Sequence, residues 1–133
     1  MGICLYNKEY EMDMGYFTFA QLRTIIAKLF NKEFGENYSL LRKCIAEKDF
    51  KENDKIANSL IAKYNLDEDV VEFLYQSDCS GKITYKTCRK IYKLIKDYDD
   101  NFMYGYVHSN HSFSYFKEMI KNCADKRRML FWN

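Results

Sequence analysis

The fold is decided by residues 67–106, DEDVVEFLYQSDCSGKITYKTCRKIYKLIKDYDDNFMYGY. The first part of this stretch predicts a short helix, because Asp67 is a favoured N-cap residue and Glu68 and Asp69 bring negative charge to the positive end of the helix dipole. The apolar side chains between positions 70 and 74 give this helix one buried face. The helix must end before Gly81.

A second helix is predicted to begin at Thr84, whose hydroxyl is suited to cap it, and to end near position 96 or 98. Its inward stripe has spacings of three and four and consists of Cys88, Ile91, Tyr92, Ile95 and Tyr98. Its other side is basic and carries Lys86, Arg89, Lys90, Lys93 and Lys96. The expected product is an amphipathic helix with a positively charged outer face.

The connector between the two helices, SDCSGKI, has the outline of an EF-hand calcium loop with its glycine at the sixth position. The first and twelfth positions hold Gln76 and Thr87, so both essential carboxylates are missing. One remaining carboxylate does not offset the dehydration of a calcium ion, and we interpret the connector as a metal-free turn in which Asp78 and Ser80 hydrogen-bond the loop backbone. The residues assigned to this structural turn are Ser77, Asp78, Ser80, Gly81 and Ile83.

The N-terminal part predicts one strand and one strong helix. Residues 3–10 favour a strand that Gly15 would end. Thr18 and Gln21 have the spacing of a capping box, and an apolar stripe continues from there to about Lys32.

The middle of the chain predicts two further helices. Gly35 is expected to separate the first helix from one that opens at position 37 or 39. The charged stretch 47–54 predicts a surface loop, after which an apolar pattern indicates a helix closing near Asn65.

The C-terminal part predicts a helix and a strand. Ser112 is placed to cap the helix, whose apolar stripe consists of Phe113, Phe116, Met119, Ile120 and Cys123. The apolar segment Met129–Trp132 must pair or be covered, with the N-terminal strand as its expected partner. The fold class that follows is α+β and mainly helical, with five or six short helices and a small antiparallel sheet joining the N- and C-terminal strands.

Composition narrows the class of protein. The 133 residues, 17% aromatic, include twelve tyrosines and no proline, which predicts one globular domain over residues 1–133 with more aromatic rings than its core requires, so that some are available for a binding surface.

Neither a membrane-spanning run nor a signal peptide is apparent, and five scattered cysteines without a CxxC pair fit a reducing, cytoplasmic setting without a zinc site. Most of the cysteines are expected in the core, with Cys79 as the exception. A net charge of +2 disfavours direct nucleic-acid binding but leaves room for a local basic patch.

Three carboxylates, Asp97, Asp99 and Asp100, fall at the C-terminal end of the second predicted helix, where the helix dipole disfavours them. They require compensation by a basic side chain such as Arg127 or Arg128, by a cation, or by water. A structural salt bridge or simple solvation is the favoured interpretation.

The same carboxylates with His108 offer an alternative, a metal-dependent hydrolase. The case for an enzyme is otherwise poor, because the chain has no phosphate-binding glycine loop, no GxSxG and no HExxH motif. We therefore expect no catalytic residues, no metal and no cofactor.

Three segments carry a family resemblance: YFTFAQLRTIIAKL, FLYQSDCSGKITYKTCRKI and FSYFKEMIKNCADKRRMLFW. In this order they resemble small proteins of bacteriophages and mobile elements that contain a Ser-Asp-Cys-x-Gly-x-Ile turn. The resemblance covers most of the chain outside residues 36–65. It implies a setting rather than a chemistry: phage proteins of this size often block components of bacterial immunity.

The sequence therefore favours a non-enzymatic binding protein that antagonises bacterial immunity in the host cytoplasm. Its expected partner is a host immune protein or a nucleotide-like small molecule stacked on rings, with no role for a membrane and with homo-oligomerisation left open. A structural or regulatory phage protein is a further alternative. The residues predicted to contact the ligand or partner are Arg23, Lys82, Arg89, Lys90, Lys93, Asp99, Asp100, Tyr104 and Tyr106.

Overall fold

A four-stranded antiparallel sheet brings the N- and C-terminal strands together. The computed structural model describes residues 2–44, 50–103 and 113–133, with side chains described for 2–39, 54–101 and 113–133. The strands are β1 (Gly2–Tyr6), β2 (Glu11–Gly15), β3 (Gly81–Ile83) and β4 (Leu130–Trp132). Their order is β2-β1-β4-β3, so the C-terminal strand lies between β1 and β3.

Six α-helices account for most of the remaining described residues. They are α1 (Tyr16–Phe30), α2 (Lys32–Cys44), α3 (Phe50–Tyr64), α4 (Glu68–Tyr75), α5 (Tyr85–Ile95) and α6 (Phe113–Lys126), with a short 3-10 helix at Asp100–Met103. The predicted α+β, mainly helical class is confirmed. The predicted pairing of the two terminal strands is confirmed as well, with Leu5 opposite Trp132 and Tyr6 opposite Phe131.

The two faces of the sheet differ in character. The side chains that point inward are buried against the helices: Ile3, Leu5, Met12, Met14, Ile83, Leu130 and Trp132. The side chains between them alternate outward and are exposed or half-buried, as the period of two in a strand requires. This second face, which we call the outer face, is where the sheet meets solvent.

The buried layer is centred on Trp132 and Arg23. The Arg23 guanidinium lies 4.3 Å from the centre of the Phe19 ring and 5.5 Å from that of Trp132, and the residue is only 5% exposed. Its NH1 group donates to the backbone oxygen of Gln76 at 2.7 Å, and the Trp132 indole N–H donates to that of Ser77 at 3.0 Å. The turn after α4 is therefore tied to α1 by Arg23 and to the C-terminal strand by Trp132.

Gln76 fixes the start of β3. Its side-chain amide donates to the backbone oxygen of Lys82 at 2.9 Å and accepts from the Lys82 N–H at 3.1 Å. The amide thus imitates a neighbouring strand at the edge of the sheet, and Ser77 Oγ accepts from the Cys79 N–H. The hydrogen bonds to this turn come from Gln76, Ser77, Arg23 and Trp132 rather than from the Asp78 and Ser80 of the sequence-based interpretation.

Several element boundaries differ from the sequence-based prediction. The expected strand over residues 3–10 is a hairpin, because Asn7 turns the chain and β2 follows. The predicted capping box is wrong: α1 begins at Tyr16 after Gly15, and no side chain caps it. The connector between α4 and α5, which the sequence predicted as a turn alone, also contains the strand β3.

Gly35 does not separate two helices but lies inside α2. A side chain there would overlap the backbone of Lys28, so glycine permits the close packing of α1 against α2. The actual break is at Asn31, which ends α1 and whose Oδ1 accepts from the Phe34 N–H at the start of α2. The stretch 47–54 is also not wholly a loop, since α3 already begins at Phe50.

Other expectations agree with the structure. Asp67 is the N-cap of α4 and accepts from the Asp69 N–H, and Thr84 occupies the N-cap position of α5 although its side chain makes no capping bond. In the predicted α5 stripe, Cys88, Ile91 and Ile95 are buried, and Tyr92 and Tyr98 are half-buried. The proposed cap Ser112 lies outside the described residues, while the predicted apolar stripe of α6 is buried.

Two of the cysteines, Cys88 and Cys123, are buried and Cys79 is exposed, as expected, whereas Cys4 is half-buried on the outer face. Among the described helices, none combines the length and apolar character needed to cross a bilayer.

The close contact at Gly81 generates a stability prediction. A Cβ at Gly81 would overlap the Trp132 indole, so we expect Gly81→Ala to lower the free energy of unfolding by about 1–3 kcal/mol, measured by urea denaturation. Gly15→Ala is the matched control, because a Cβ there meets no atom within 4 Å. Equal effects of the two substitutions would contradict the described packing around Trp132.

Candidate binding site

A cleft of about 370 Å³ lies at one end of the outer face, where the β1–β2 turn meets the segment that leads into β4. This volume is at the small end of the range for ligand sites, about 300–1,000 Å³. Its lining combines rings, an amide and cationic groups: Tyr6, Asn7, Lys8, Arg127, Arg128, Met129 and Phe131. We call it the outer cleft.

Two aromatic rings line the outer cleft. Tyr6 and Phe131 are opposite each other on neighbouring strands, and their ring centres are 5.6 Å apart with an angle of 20° between the planes. Lys82 is opposite Phe131 on the other side, and Glu11 is opposite Tyr6. One row across the sheet therefore reads Glu11, Tyr6, Phe131 and Lys82, with two nearly parallel rings between a negative and a positive end.

Two cations without an ion-pair partner among the described residues lie at the rim of the outer cleft. Lys8 and Arg127 are exposed, and neither forms an ion pair with any residue in the described part of the chain. Arg127 has a left-handed backbone with φ of 53°, directly after α6, and its guanidinium lies 5.9 Å from the centre of the Tyr85 ring. A planar anion on the rings would thus find two cations without a competing carboxylate partner.

The remaining cation of the outer cleft, Arg128, has a structural role. Its NH1 group lies 2.8 Å from a carboxylate oxygen of Glu9, and Lys126 Nζ lies 2.7 Å from the same oxygen. These hydrogen bonds, first from Lys126 and then from Arg128, lower the pKa of Glu9 from 4.5 to about 2. The pair of contacts fastens the β1–β2 turn to the end of α6.

Asn7 gives this turn its shape. Its Oδ1 accepts from the backbone N–H groups of Glu9 and Tyr10 at 2.8 and 2.7 Å, a local geometry typical of Asn in turns. Its Nδ2 donates to Asn122 Oδ1 at 2.9 Å and to Cys123 Sγ at 3.1 Å on α6. The position of Lys8 at the rim of the outer cleft is therefore set by contacts to α6.

The outer cleft offers no activated nucleophile of the cysteine type. Cys4 lies on the same sheet face, two residues from Tyr6, and its partial burial together with the Glu11 carboxylate raises the pKa of its thiol to about 11. A thiol with such a pKa stays protonated near neutral pH. Nor do the described residues bring three His, Cys, Asp or Glu side chains together in a metal-binding arrangement.

Of the residues predicted from sequence to contact a ligand, those that the structure describes do not form one site. Lys82 is exposed on the outer face beside Phe131. Arg89 and Lys93 are exposed on α5, and the Arg89 guanidinium lies over Tyr85, 5.6 Å from the ring centre. Lys90 is 2.8 Å from carboxylate oxygens of both Asp67 and Asp69 and joins α5 to the start of α4.

Of the three carboxylates after α5, that of Asp100 forms a salt bridge with a lysine of α6. Lys117 Nζ lies 2.8 Å from Asp100 Oδ1 and also donates to the backbone oxygens of Lys96 and Tyr98, which directly follow α5. Asp99 accepts from the Asn101 N–H. The predicted compensation by a structural salt bridge is thus found, but its source is Lys117 and not Arg127 or Arg128. Tyr104, Tyr106 and His108 lie outside the described residues.

Arg23 is part of the core rather than of a surface site, held under the rings of Phe19, Phe73 and Trp132. The turn residues Ser77, Asp78 and Ser80 are exposed, and Asp78 Oδ1 accepts from the thiol of Cys79 at 3.5 Å. The other two residues assigned to the turn, Gly81 and Ile83, belong to β3.

Sequence reasoning missed the outer cleft, which depends on Tyr6, Phe131, Lys8 and Arg127. The alternation in the first strand was a usable signal, because Leu5 inward requires Tyr6 outward. The pairing of Tyr6 with Phe131 depends on register, which the sequence alone does not fix.

Comparisons with known proteins found no matching family model, no matching curated protein and no matching solved structure.

The Glu9 contacts generate a pH prediction. Because the pKa of Glu9 is lowered in the folded state, its stabilisation is present above pH 4.5 and is lost as the pH falls from 4.5 towards 2. We expect the difference in unfolding free energy between the wild type and Glu9→Gln to be constant near neutral pH and to shrink over that acidic window, measured by urea titrations. Added salt at pH 7 should narrow the same difference, since the pair is exposed. A difference that is constant from pH 7 to 2 would contradict the ion pairs.

Proposed function

We propose that the protein is a non-enzymatic binding protein that holds a nucleotide-like small molecule in the outer cleft. In the setting suggested by the phage resemblance, it antagonises bacterial immunity by sequestering such a molecule from a host defence protein. The observation that carries the proposal is the combination of a ring platform, Tyr6 and Phe131, with two cations that have no described ion-pair partner, Lys8 and Arg127.

The chemistry of a nucleotide matches this combination. A base stacks on aromatic rings regardless of its hydrogen-bonding pattern, and such stacking contributes about 1–3 kcal/mol per base. A phosphate group is recognised by guanidinium and ammonium groups, and Arg127 and Lys8 supply one of each at the rim. The apolar contact from Phe131 and Met129 completes a site suited to a flat, anionic molecule.

Binding without conversion is the simplest outcome for this set of side chains. The lining of the outer cleft has a tyrosine and an asparagine as its uncharged polar groups, and Asn7 is engaged with the β1–β2 turn and α6. None of the lining residues provides a carboxylate or a histidine for general acid–base catalysis.

Direct inhibition of a host defence protein receives less support. Two of the charged groups predicted to contact a partner already have ion-pair partners within the chain: Lys90 is held by Asp67 and Asp69, and Asp100 is held by Lys117. Presenting these groups to another protein would require breaking the internal pairs. The sequestration of a small ligand has no such requirement.

The test is calorimetric titration of the purified protein with a panel of nucleotides, followed by substitution of the rings. We expect at least one nucleotide to bind, with Tyr6→Ala and Phe131→Ala each weakening it by about tenfold, as the loss of one stacking contact implies. Phe17→Ala is the matched control: Phe17 is 72% exposed and does not line the outer cleft, so its loss should leave affinity unchanged.

Mass spectrometry of the same mixtures reports on catalysis. The bound nucleotide should be recovered with its mass unchanged after prolonged incubation. The proposal is wrong if no nucleotide binds, if the ring substitutions leave affinity unaltered, or if the ligand is converted to product.

A further inference from the structure

The positive charge near the outer cleft does not end at its rim. Arg127 leads from the cleft to Tyr85 at the start of α5, and the Tyr85 ring lies between two guanidinium groups, 5.9 Å from that of Arg127 and 5.6 Å from that of Arg89. Arg89 also reaches across to the backbone oxygen of Ala124 at 3.5 Å, near the end of α6. The two arginines are therefore placed by fixed neighbours and not by chance on a solvated surface.

The line continues along α5. Tyr85, Arg89 and Lys93 are four residues apart and so lie on one side of the helix, a length of about 12 Å at 1.5 Å per residue. We call the sequence Arg127, Tyr85, Arg89 and Lys93 the α5 track. Among the described residues, none of its three cations forms an ion pair.

Three carboxylates close to the α5 track pair with lysines that are not part of it. Asp125, next to Ala124, is 3.3 Å from Lys121 one turn back on α6, and Asp67 and Asp69 are both held by Lys90. The charge on the track is thus available to an anion. The overall charge of +2 gives no indication of this local concentration.

We propose that the bound molecule is a short single-stranded nucleic acid, one base of which stacks on Tyr6 and Phe131 while its following phosphates run along the α5 track. This inference rests on the proposed function, because both use the same rings. Single strands are bound by this combination of stacking surfaces and a positively charged path for the backbone. The rise along the axis of a stacked strand is about 3.4 Å per nucleotide, so a track of about 12 Å accommodates at least two phosphates beyond the cleft.

Tyr85 has a place in this arrangement. It is half-buried, and the guanidinium groups of Arg127 and Arg89 both lie over its ring, so Tyr85 holds the two arginines next to each other. One cation at the rim of the cleft is thus followed by two along α5, an arrangement that suits successive phosphates. A single nucleotide would use only the first part of it.

The test compares thymidine 5′-monophosphate with a fluorescent six-residue oligodeoxythymidylate, by calorimetry and by fluorescence anisotropy. We expect the oligonucleotide to bind at least tenfold more tightly, with a plot of log affinity against log salt concentration having a slope near −2 for three phosphate contacts. Lys93→Gln should weaken binding of the oligonucleotide several-fold and reduce the magnitude of the slope by the contribution of about one phosphate contact. The affinity for the monophosphate should not change.

Lys55→Gln is the matched control, since Lys55 is exposed on α3, away from the α5 track, and its loss should change neither affinity. Tyr6→Ala should weaken both ligands. If the monophosphate binds as tightly as the oligonucleotide, or if Lys93→Gln has no effect on the latter, the α5 track is not a binding surface and the outer cleft alone stands. If neither ligand binds, the inference fails and, together with a negative nucleotide panel, so does the proposed function.

Discussion

The structure depends on the contact between Arg23 and the turn that follows α4. A guanidinium 5% exposed is costly to desolvate, and it is tolerated here because three rings surround it and the backbone oxygens of Gln76 and Ser77 accept from it. Trp132 donates to the same Ser77 oxygen. One residue from α1 and one from the C-terminal strand thus hold a turn that belongs to neither, and this contact joins distant parts of the chain.

The orientation of the outer cleft follows from that contact. Because Trp132 is buried over Arg23, its neighbour Phe131 must point to the opposite face of the sheet, where it meets Tyr6. The same strand direction brings Arg127, directly after α6, to the rim of the cleft. An internal packing requirement therefore exposes two rings and a cation on the solvent side.

The sequence predicted the parts of the fold that depend on local patterns. The cap at Asp67 and the apolar stripes of α5 and α6 follow from local sequence alone, and the pairing of terminal strands followed from the need to cover an apolar end. Thr84 has the predicted N-cap position of α5, but its hydroxyl does not make the expected capping bond. It missed what depends on tertiary contact: Gly35 indicated a break because its role in the packing of α1 against α2 is invisible locally. The outer cleft was missed for the same reason, since Tyr6 and Phe131 are 125 positions apart and meet only through register. Arg23 was predicted as a surface ligand because a lone arginine gives no sign that rings will enclose it.

The most direct test of this account is a double-mutant cycle between Arg23→Met and Trp132→Phe, measured by urea denaturation. Methionine keeps most of the apolar stem of Arg23 and phenylalanine keeps a ring at position 132. The cycle therefore isolates the interaction free energy between the two side chains that hold the turn. If the two side chains act as one anchor, their effects on the free energy of unfolding will be non-additive by about 1 kcal/mol or more. Effects that add to within about 0.3 kcal/mol would show that Arg23 and Trp132 act independently and would contradict the central role assigned to their contact.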